Sequence, residues 1–468
     1  MSSRSGGPSE QDSTVYRLRT ATVEETIEKG DYTSRTSVYL GVVNGDVVKF
    51  TRGGPSVPVA GGERRFAVLS PYVQSAVLFG DVFFTDGVRA CVYKVEDDEV
   101  IDFAATSAGA VPRRFRLVAA WRGRLVIARV PGDDFNWYMS KQGDAYDWDP
   151  SPAILNVTQS IVGTGPSSDT GVGPGDSPDV INALIPWSDD LLIYGGDRTI
   201  FRMSGDPMAG GTLDLVSSST GIAYGSPWAF APNGVLYFFG SRGGVWAMSA
   251  AGQVERLTTN TIERRLRDLE LDSVKVQLIW NYEEEGLMVV PIAYDLQSNV
   301  VQTSWFLDVK NGAWWEDSWA DPSVMPTCTL LADGDQPQDR RVLFGCRDGK
   351  VRFWDQAAAT DDGFRIQSHV RMGPLIPENE TSETRFSGVV GVIAADQGAV
   401  DFVLSVGDTP EELREVGSGT MHPGRNPPSA TRFVGSTAWL TLRSGRVDRW
   451  ALESIALKAH RAGRKRLK

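Results

Sequence analysis

The amino-acid sequence predicts an all-β protein: a β-propeller of about seven blades with a C-terminal β-sandwich-like domain. Three observations lead there. A short strand carrying an aromatic anchor recurs, at Phe50, Tyr93, Tyr138, Phe201, Trp246, Phe306 and Phe353, and four of the six intervals are 43–47 residues. Strand-built repeats of about 40–50 residues are the signature of propeller blades. Upstream of the anchors stand hairpin-like runs, FRLVAAWRGRLVIAR, INALIPWSDDLLIYG, SPWAFAPNGVLYFFG and VQLIWNYEEEGLMVV, whose turn residues suit tight connections. The composition agrees, with 49 Gly and 25 Pro in 468 residues favouring many short strands over long helices. One four-stranded blade cannot bury both its faces alone. Blades packed face to face in a ring can, and few edges stay open.

In chain order, residues 1–29 read as a partly flexible N-terminal arm and residues 30–383 as the propeller. Three anchors end alike, in Trp137-Tyr-Met-Ser, Phe201-Arg-Met-Ser and Trp246-Ala-Met-Ser. Two intervals are longer, and each holds an insertion. Between Tyr138 and Phe201 the Gly/Ser/Pro-rich run GTGPSSDTGVGPGDSP reads as an inserted loop at 162–178. Between Trp246 and Phe306 the run NTIERRLRDLEL reads as a helix at 261–271, with Ile262, Leu266, Leu269 and Leu271 roughly on one face. Both insertions are expected to project from the ring and to offer contacts. From residue 384 the strands FSGVVGVIAA, AVDFVLSVG, TAWLTLRSG and DRWALESIALKA lack the blade ending, and 384–458 reads as a separate β domain. Residues 459–468 read as a basic tail, the stretch from Lys458 onward carrying six Lys/Arg in 11 residues.

Composition removes several classes. Hydrophobic residues at 41% and charged residues at 23% suit a chain with a real core. No stretch approaches the ~20 apolar residues of a membrane-spanning helix. The start, MSSRSGGPSEQDS, has no apolar segment and predicts no secretory signal. A net charge of −12 does not suit a chain that grips a nucleic-acid backbone. Cys91, Cys328 and Cys346 are too few and too widely spaced for a disulfide framework, and read as small buried hydrophobes. His369, His422 and His460 lie far apart, in no metal-ligand spacing. No nucleophile elbow, phosphate loop or dinucleotide fingerprint appears. Neither a catalytic residue nor a metal or cofactor site is assigned, and the chain is expected not to be an enzyme.

The densest chemistry lies in PGDDFNWYMSKQGDAYDWDPS, residues 131–151. Asp133, Asp134, Asp144, Asp147 and Asp149 stand among Phe135, Trp137, Tyr138, Tyr146 and Trp148. Carboxylates beside aromatic platforms are what a carbohydrate-cleaving or carbohydrate-binding cleft needs. The plainer reading is a blade edge whose aromatics pack between blades. The acidic runs at 96–99 and 333–339 lack the spacing of a calcium loop and read as solvated turns. The basic tail reads either as a solvated terminus or as a contact to nucleic acid.

The segments RVPGDDFNWYMSKQGDAYDWDPS, DLLIYGGDRTIFRMSGDP, GIAYGSPWAFAPNGVLYFFGSRGGVWAMS and WFLDVKNGAWWEDSW resemble the propeller-type tail proteins of tailed phages. They are most similar to the tail nozzle proteins of short-tailed phages, also called DNA-stabilisation or tail accessory proteins. The resemblance covers residues 120–320, and the remainder by architecture. It implies a structural virion protein in a ring of copies, a hexamer, within the head-tail connector complex. That ring would retain packaged DNA and form the channel for its ejection. The implied partners are other copies, the tail adaptor and portal complex, tail fibre or needle proteins, and DNA passing without sequence-specific binding. The implied place is the virion's tail, after synthesis in the host cytoplasm. The family offers no active-site residue to carry over. The charge balance points the same way, since an acidic lumen repels phosphates and lets DNA slide. The alternative reading is a carbohydrate-binding or carbohydrate-cleaving propeller, an adhesion protein, built around residues 133–149. A cellular protein-interaction propeller is a third, and the chain lacks the WD signature it would carry.

Overall fold

In the computed structural model of the chain, these runs become the strands of antiparallel sheets. The structure describes residues 19–24, 35–50, 56–67, 73–152, 154, 156–163, 179–259, 262–294, 303–319, 321–332, 340–356, 358, 360–361, 363–376, 382–395, 397–409, 412–444 and 450–464. The chain divides into two compact units, Met1–Gln356 and Ala357–Lys468.

The first unit holds seven consecutive meander sheets. Blade 1 comprises Arg19–Glu24, Arg35–Val43, Asp46–Phe50 and Val57–Pro58. Blade 2 comprises Gln74–Leu78, Asp81–Thr85, Ala90–Lys94 and Glu99–Asp102. Blade 3 comprises Leu117–Trp121, Arg124–Val130, Asp133–Met139 and Ile161–Gly163. Blade 4 comprises Ala183–Ser188, Leu191–Gly195, Ile200–Ser204 and Thr212–Ser217. Blade 5 comprises Trp228–Phe230, Leu236–Phe239, Val245–Met248 and Val254–Arg256. Blade 6 comprises Val274–Asn281, Gly286–Ala293, Thr303–Asp308 and Ala313–Ser318. Blade 7 has, among the described residues, three strands, Pro326–Ala332, Arg341–Cys346 and Val351–Phe353.

Every aromatic anchor lies in the third strand of its blade, paired with the second: Phe50 with Tyr39, Tyr93 with Val82, Tyr138 with Ile127, Phe201 with Tyr194, Trp246 with Phe238, Phe306 with Met288 and Phe353 with Leu343. Period-2 alternation sends successive side chains to opposite faces of each sheet, and both faces meet a neighbouring blade. In blade 3, Leu117, Ala119 and Trp121 pack toward blade 4, whereas Val118, Leu125 and Ile127 pack toward blade 2. The apolar interior therefore consists of one cluster per blade interface, from blades 1 and 2 round to blades 6 and 7. The last cluster joins Val48 and Phe50 of blade 1 to Cys328, Leu330 and Leu343 of blade 7. Side-chain packing closes the circle; among the described residues no sheet mixes strands from blades 1 and 7.

Several boundaries differ from those read in the sequence. Arg19–Glu24, assigned to the N-terminal arm, is the first strand of blade 1, pairing with Arg35–Leu40. Residues 162–163, assigned to the inserted loop, belong to the last strand of blade 3, and 164–178 lie outside the described residues. The helix read at 261–271 is shorter: α1 spans Glu263–Arg267. Instead of projecting, it inserts the fully buried Leu266 into the interface of blades 5 and 6, while Ile262, Leu269 and Leu271 pack against the same cluster from outside the helix.

The C-terminal unit starts before residue 384. His369–Leu375 pairs with Thr437–Ser444, in a sheet continued by Val400–Gly407 and Leu413–Met421. A second sheet is built on Ser382–Ile393, flanked by Ser429–Gly435, Gly424–Arg425 and Leu452–Arg464. Phe386, Val389 and Ile393 face Phe402, Leu404, Leu440 and Leu442, the sandwich-like core the sequence predicts. The basic tail assigned at 459–468 is strand as far as Arg464, which pairs with Ser382. Residues 465–468 lie outside the described residues.

Candidate functional site

The acidic and aromatic segment 131–151 runs along the third strand of blade 3 and the connection that follows it. Its aromatics are packed rather than presented. Trp137 and Trp148 are buried, Tyr138 and Tyr146 half-buried, and only Phe135 is exposed. Trp137 tilts against Tyr194 of blade 4 at 5.8 Å between ring centroids. Tyr146 and Trp148 meet Phe103 edge-on, and Trp148 Nε1 donates to Ala145 O at 2.9 Å.

The carboxylates are committed locally. Asp133 accepts from Asn136 and from the Tyr138 hydroxyl. Burial, reinforced by that carboxylate, pushes the Tyr138 phenol up to about 12. Asp144 accepts the Tyr146 N–H at 2.8 Å, and Asp147 lies 3.3 Å from Lys141 Nζ. The Tyr146 hydroxyl donates to Asp81 of blade 2 at 2.8 Å. Lys94 pairs with the same carboxylate at 2.7 Å and sits over the Tyr146 ring. Two blades are thereby tied together by a Lys–Asp–Tyr group in which the aromatic face stabilises the ammonium.

The strongest polar centre was not visible in the sequence. Arg124, in the second strand of blade 3, is fully buried. Its Nη1 donates to Ser140 O at 3.0 Å, Thr158 O at 3.2 Å and Gln159 O at 2.6 Å. Its Nη2 donates to Val157 O at 2.9 Å and to Asp206 Oδ2 at 3.3 Å. Asp206 is the acid of FRMSGDP in blade 4, and its other oxygen caps the 3-10 turn Pro207–Ala209 by accepting from Met208 N–H at 2.8 Å. Burial lowers the Arg124 pKa and Asp206 opposes that shift. Beside it, Arg122 donates to Asp189 O at 3.2 Å and Asp190 Oδ1 at 2.5 Å. One arginine thus fixes the 140–160 connection and docks it on blade 4. The only sequence signal was a charged residue at a buried position of an apolar strand.

Near the propeller axis the first strands carry polar side chains. Gln74 of blade 2 accepts the Val118 N–H of blade 3 at 3.1 Å, and Gln277 of blade 6 accepts the Thr329 N–H of blade 7 at 2.8 Å. Gln74 Nε2 also reaches Ser226 Oγ, ahead of blade 5, at 3.4 Å. Blades 2 and 5 stand on opposite sides of the ring, so side chains bridge the axis at this level.

Cys91, Cys328 and Cys346 are buried free thiols, and burial pushes Cys346 up to about 12. His369, His422 and His460 are exposed and are not brought together. The acidic turn at 96–99 places Asp98 beside Lys49 and Tyr93, while 333–339 lies outside the described residues. Among the described residues no three His, Cys, Asp or Glu side chains converge as metal ligands, and no helix is long and apolar enough to cross a membrane.

No family model matches the chain, and no curated protein matches it. Solved structures do. The extracellular domain of a hybrid two component system, BT4673, from B. thetaiotaomicron is 10% identical, with a TM-score of 0.46 over 81% of this chain and 41% of its own. The corresponding domain of BT3049 from the same organism is 10% identical, with a TM-score of 0.44 over 90% and 48%. A chain of the Mitotic Checkpoint Complex is 14% identical, with a TM-score of 0.40 over 74% and 96%. The protein spans less than half the length of the two bacterial chains it matches.

Proposed function

We propose that the chain is a structural, non-enzymatic virion protein, a subunit of the ring-shaped tail nozzle of a short-tailed phage. Its copies would retain packaged DNA and frame the channel through which it leaves, held by an adaptor and portal complex above and by fibre or needle proteins at the tail. The observation that carries this reading is where the resembling motifs fall. The loop after WYMS and the acid of FRMSGDP meet at Arg124 and make a rigid joint between blades. Shared residues at a joint of this kind suit a building block better than a catalyst. The Gln74–Ser226 bridge leaves no room for a duplex on the axis of one propeller, so the proposed conduit is a lumen between copies. Its acidic net charge of −12 per chain would limit adhesion of DNA to the walls. The carbohydrate reading draws little support from 131–151, where four of the five aromatics are spent on packing.

The test is made on particles of the phage or prophage that encodes the chain. The protein is expected among the virion proteins, and particles lacking it should fill with DNA and then lose it to added nuclease. Particles that lack the chain yet hold their DNA and infect normally would remove the proposal.

A further inference from the structure

The boundary between blades 1 and 2 holds a cleft of about 630 Å³ lined by Gly61, Glu63, Arg64, Arg65, Arg89 and Asp102. Three arginines in one cleft stand out in a chain of net charge −12. The backbone around them is firmly held. Arg64 sits at φ 52 and donates its N–H to Asp46 Oδ1 at 2.6 Å. Asp86 Oδ1 closes the turn of blade 2 by accepting from the N–H groups of Val88 at 2.8 Å and Arg89 at 2.7 Å. Arg89 Nη1 then donates to Arg64 O at 3.0 Å, joining the two segments.

The three guanidinium groups are not equivalent. Arg65 is saturated by Gly61 O, Val100 O and the Asp102 carboxylate. Among the described residues neither Arg64 nor Arg89 has a carboxylate partner. Thr85 Oγ1 donates to Phe115 O at 2.6 Å, bringing the run Arg113-Arg114-Phe115-Arg116 alongside the same turn. Arg113, Arg114 and Arg116 are exposed there, also without a carboxylate partner among the described residues.

We propose that this cleft is a phosphate-binding site, for a free phosphate monoester or for a phosphate of a nucleic-acid backbone. A guanidinium presents paired donors that match phosphate oxygens. Asp102 takes only Nη1 of Arg65, on one of its two oxygens, whereas a phosphate dianion has oxygens for two or three guanidinium groups. Arg64 and Arg89 are the two left over, and the volume accommodates a group attached to the phosphate. The proposal does not depend on the tail reading.

Calorimetric titration of the full chain with inorganic phosphate tests it. Saturable binding is expected, weakened roughly tenfold or more in Arg64→Ala/Arg89→Ala, the loss of charge-assisted hydrogen bonds. Arg198→Ala, an exposed arginine of blade 4, should bind as the wild type does. Both sites are at the surface, so unchanged thermal unfolding confirms that the variants are folded. A short DNA duplex distinguishes the two sources. Duplex binding that falls with salt and is lost in the double variant assigns the site to a backbone phosphate. Phosphate binding without duplex binding assigns it to a free monoester. Phosphate affinity unchanged in the double variant, or binding of neither probe, overturns the proposal.

Discussion

Arg124 and Asp206, 82 residues apart in sequence, meet at 3.3 Å in the interior, and the arginine reaches four backbone carbonyls in the same place. Each partner is there because of the other. A buried guanidinium is tolerated only when its donors are filled and its charge is answered, and a buried carboxylate likewise. Removing one partner is therefore worse than losing the attraction between them. Asp206→Ala should destabilise the propeller by about 3–5 kcal/mol, since it leaves an uncompensated buried charge and also uncaps Pro207–Ala209. Arg124→Met, which removes the charge while keeping bulk, should also destabilise, because the carbonyls lose their donor. The double variant should recover part of the loss, and a double-mutant cycle by urea unfolding measures how much. Strict additivity would show that the two residues are not coupled.

Two glycines make room for the aromatics of third strands. A Cβ on Gly163 would lie 2.1 Å from the Trp137 ring, and one on Gly286 would lie 2.1 Å from the Phe306 ring. Neither glycine has the positive φ that would by itself exclude alanine; at Gly163 the obstacle is the ring alone, whereas at Gly286 the Leu307 carbonyl oxygen, 2.6 Å from the added Cβ, stands in the way as well. Gly163→Ala and Gly286→Ala should each cost about 1–3 kcal/mol through forced displacement of a packed side chain. Pairing Gly286→Ala with Phe306→Leu should relieve part of that cost. Equal unfolding midpoints for Gly286→Ala and wild type would mean that the ring moves aside freely.

The repeat was legible because its aromatics occupy one structural position, the third strand, whatever face they point to. What stayed hidden depended on partners distant in sequence. Arg124 looks like any charged residue near a turn until Asp206 is placed beside it. His369–Leu375 carries no strand signal in the sequence, because most of it is exposed and it shows no blade-like alternation, so the sequence places the start of the second unit at 384 whereas the structure places it at 357. The sequence pattern runs past the end of α1 because Leu269 and Leu271 face the same cluster as Leu266, but from outside its five residues. At 131–151 the residue types are legible in the sequence but their engagement is not, because pairings such as Tyr146 with Asp81 across blades need three dimensions.

Alkaline stability should depend on Tyr138. Its hydroxyl donates to Asp133, and the folded protein holds the phenol at about 12, above an ordinary value near 10. The protonated form is the one the fold favours. Its contribution is therefore fully present below about pH 10 and is lost as pH rises toward 12. The stability difference between wild type and Tyr138→Phe should be constant at neutral pH and change across that window, with the wild type losing ground. Denaturant unfolding of both proteins at a series of alkaline pH values checks this. A difference that stays flat up to pH 12 would contradict the assignment.

Ending the chain after Lys458 separates a strand from a tail. As a solvated tail, residues 459–468 could be removed with little change in stability. In the structure, Ala459, His460, Arg461, Gly463 and Arg464 pair with Phe386, Arg385, Thr384, Glu383 and Ser382. Their removal leaves Thr384, Arg385 and Phe386 paired on one side only and takes from Ser382 and Glu383 the strand partners they have among the described residues, and it thins the cover over Phe386, which is fully buried. Backbone groups that lose partners without reaching water are costly, and the core beneath them loosens. The truncation should destabilise the C-terminal unit by about 2–4 kcal/mol. Hydrogen exchange at 382–393 should quicken while exchange in blades 1–7 stays unchanged. Removing only 465–468 keeps every one of these pairings and should have a much smaller effect. Equal protection of 382–393 in the full chain and in the chain ended at Lys458 would return the segment to the status of a tail.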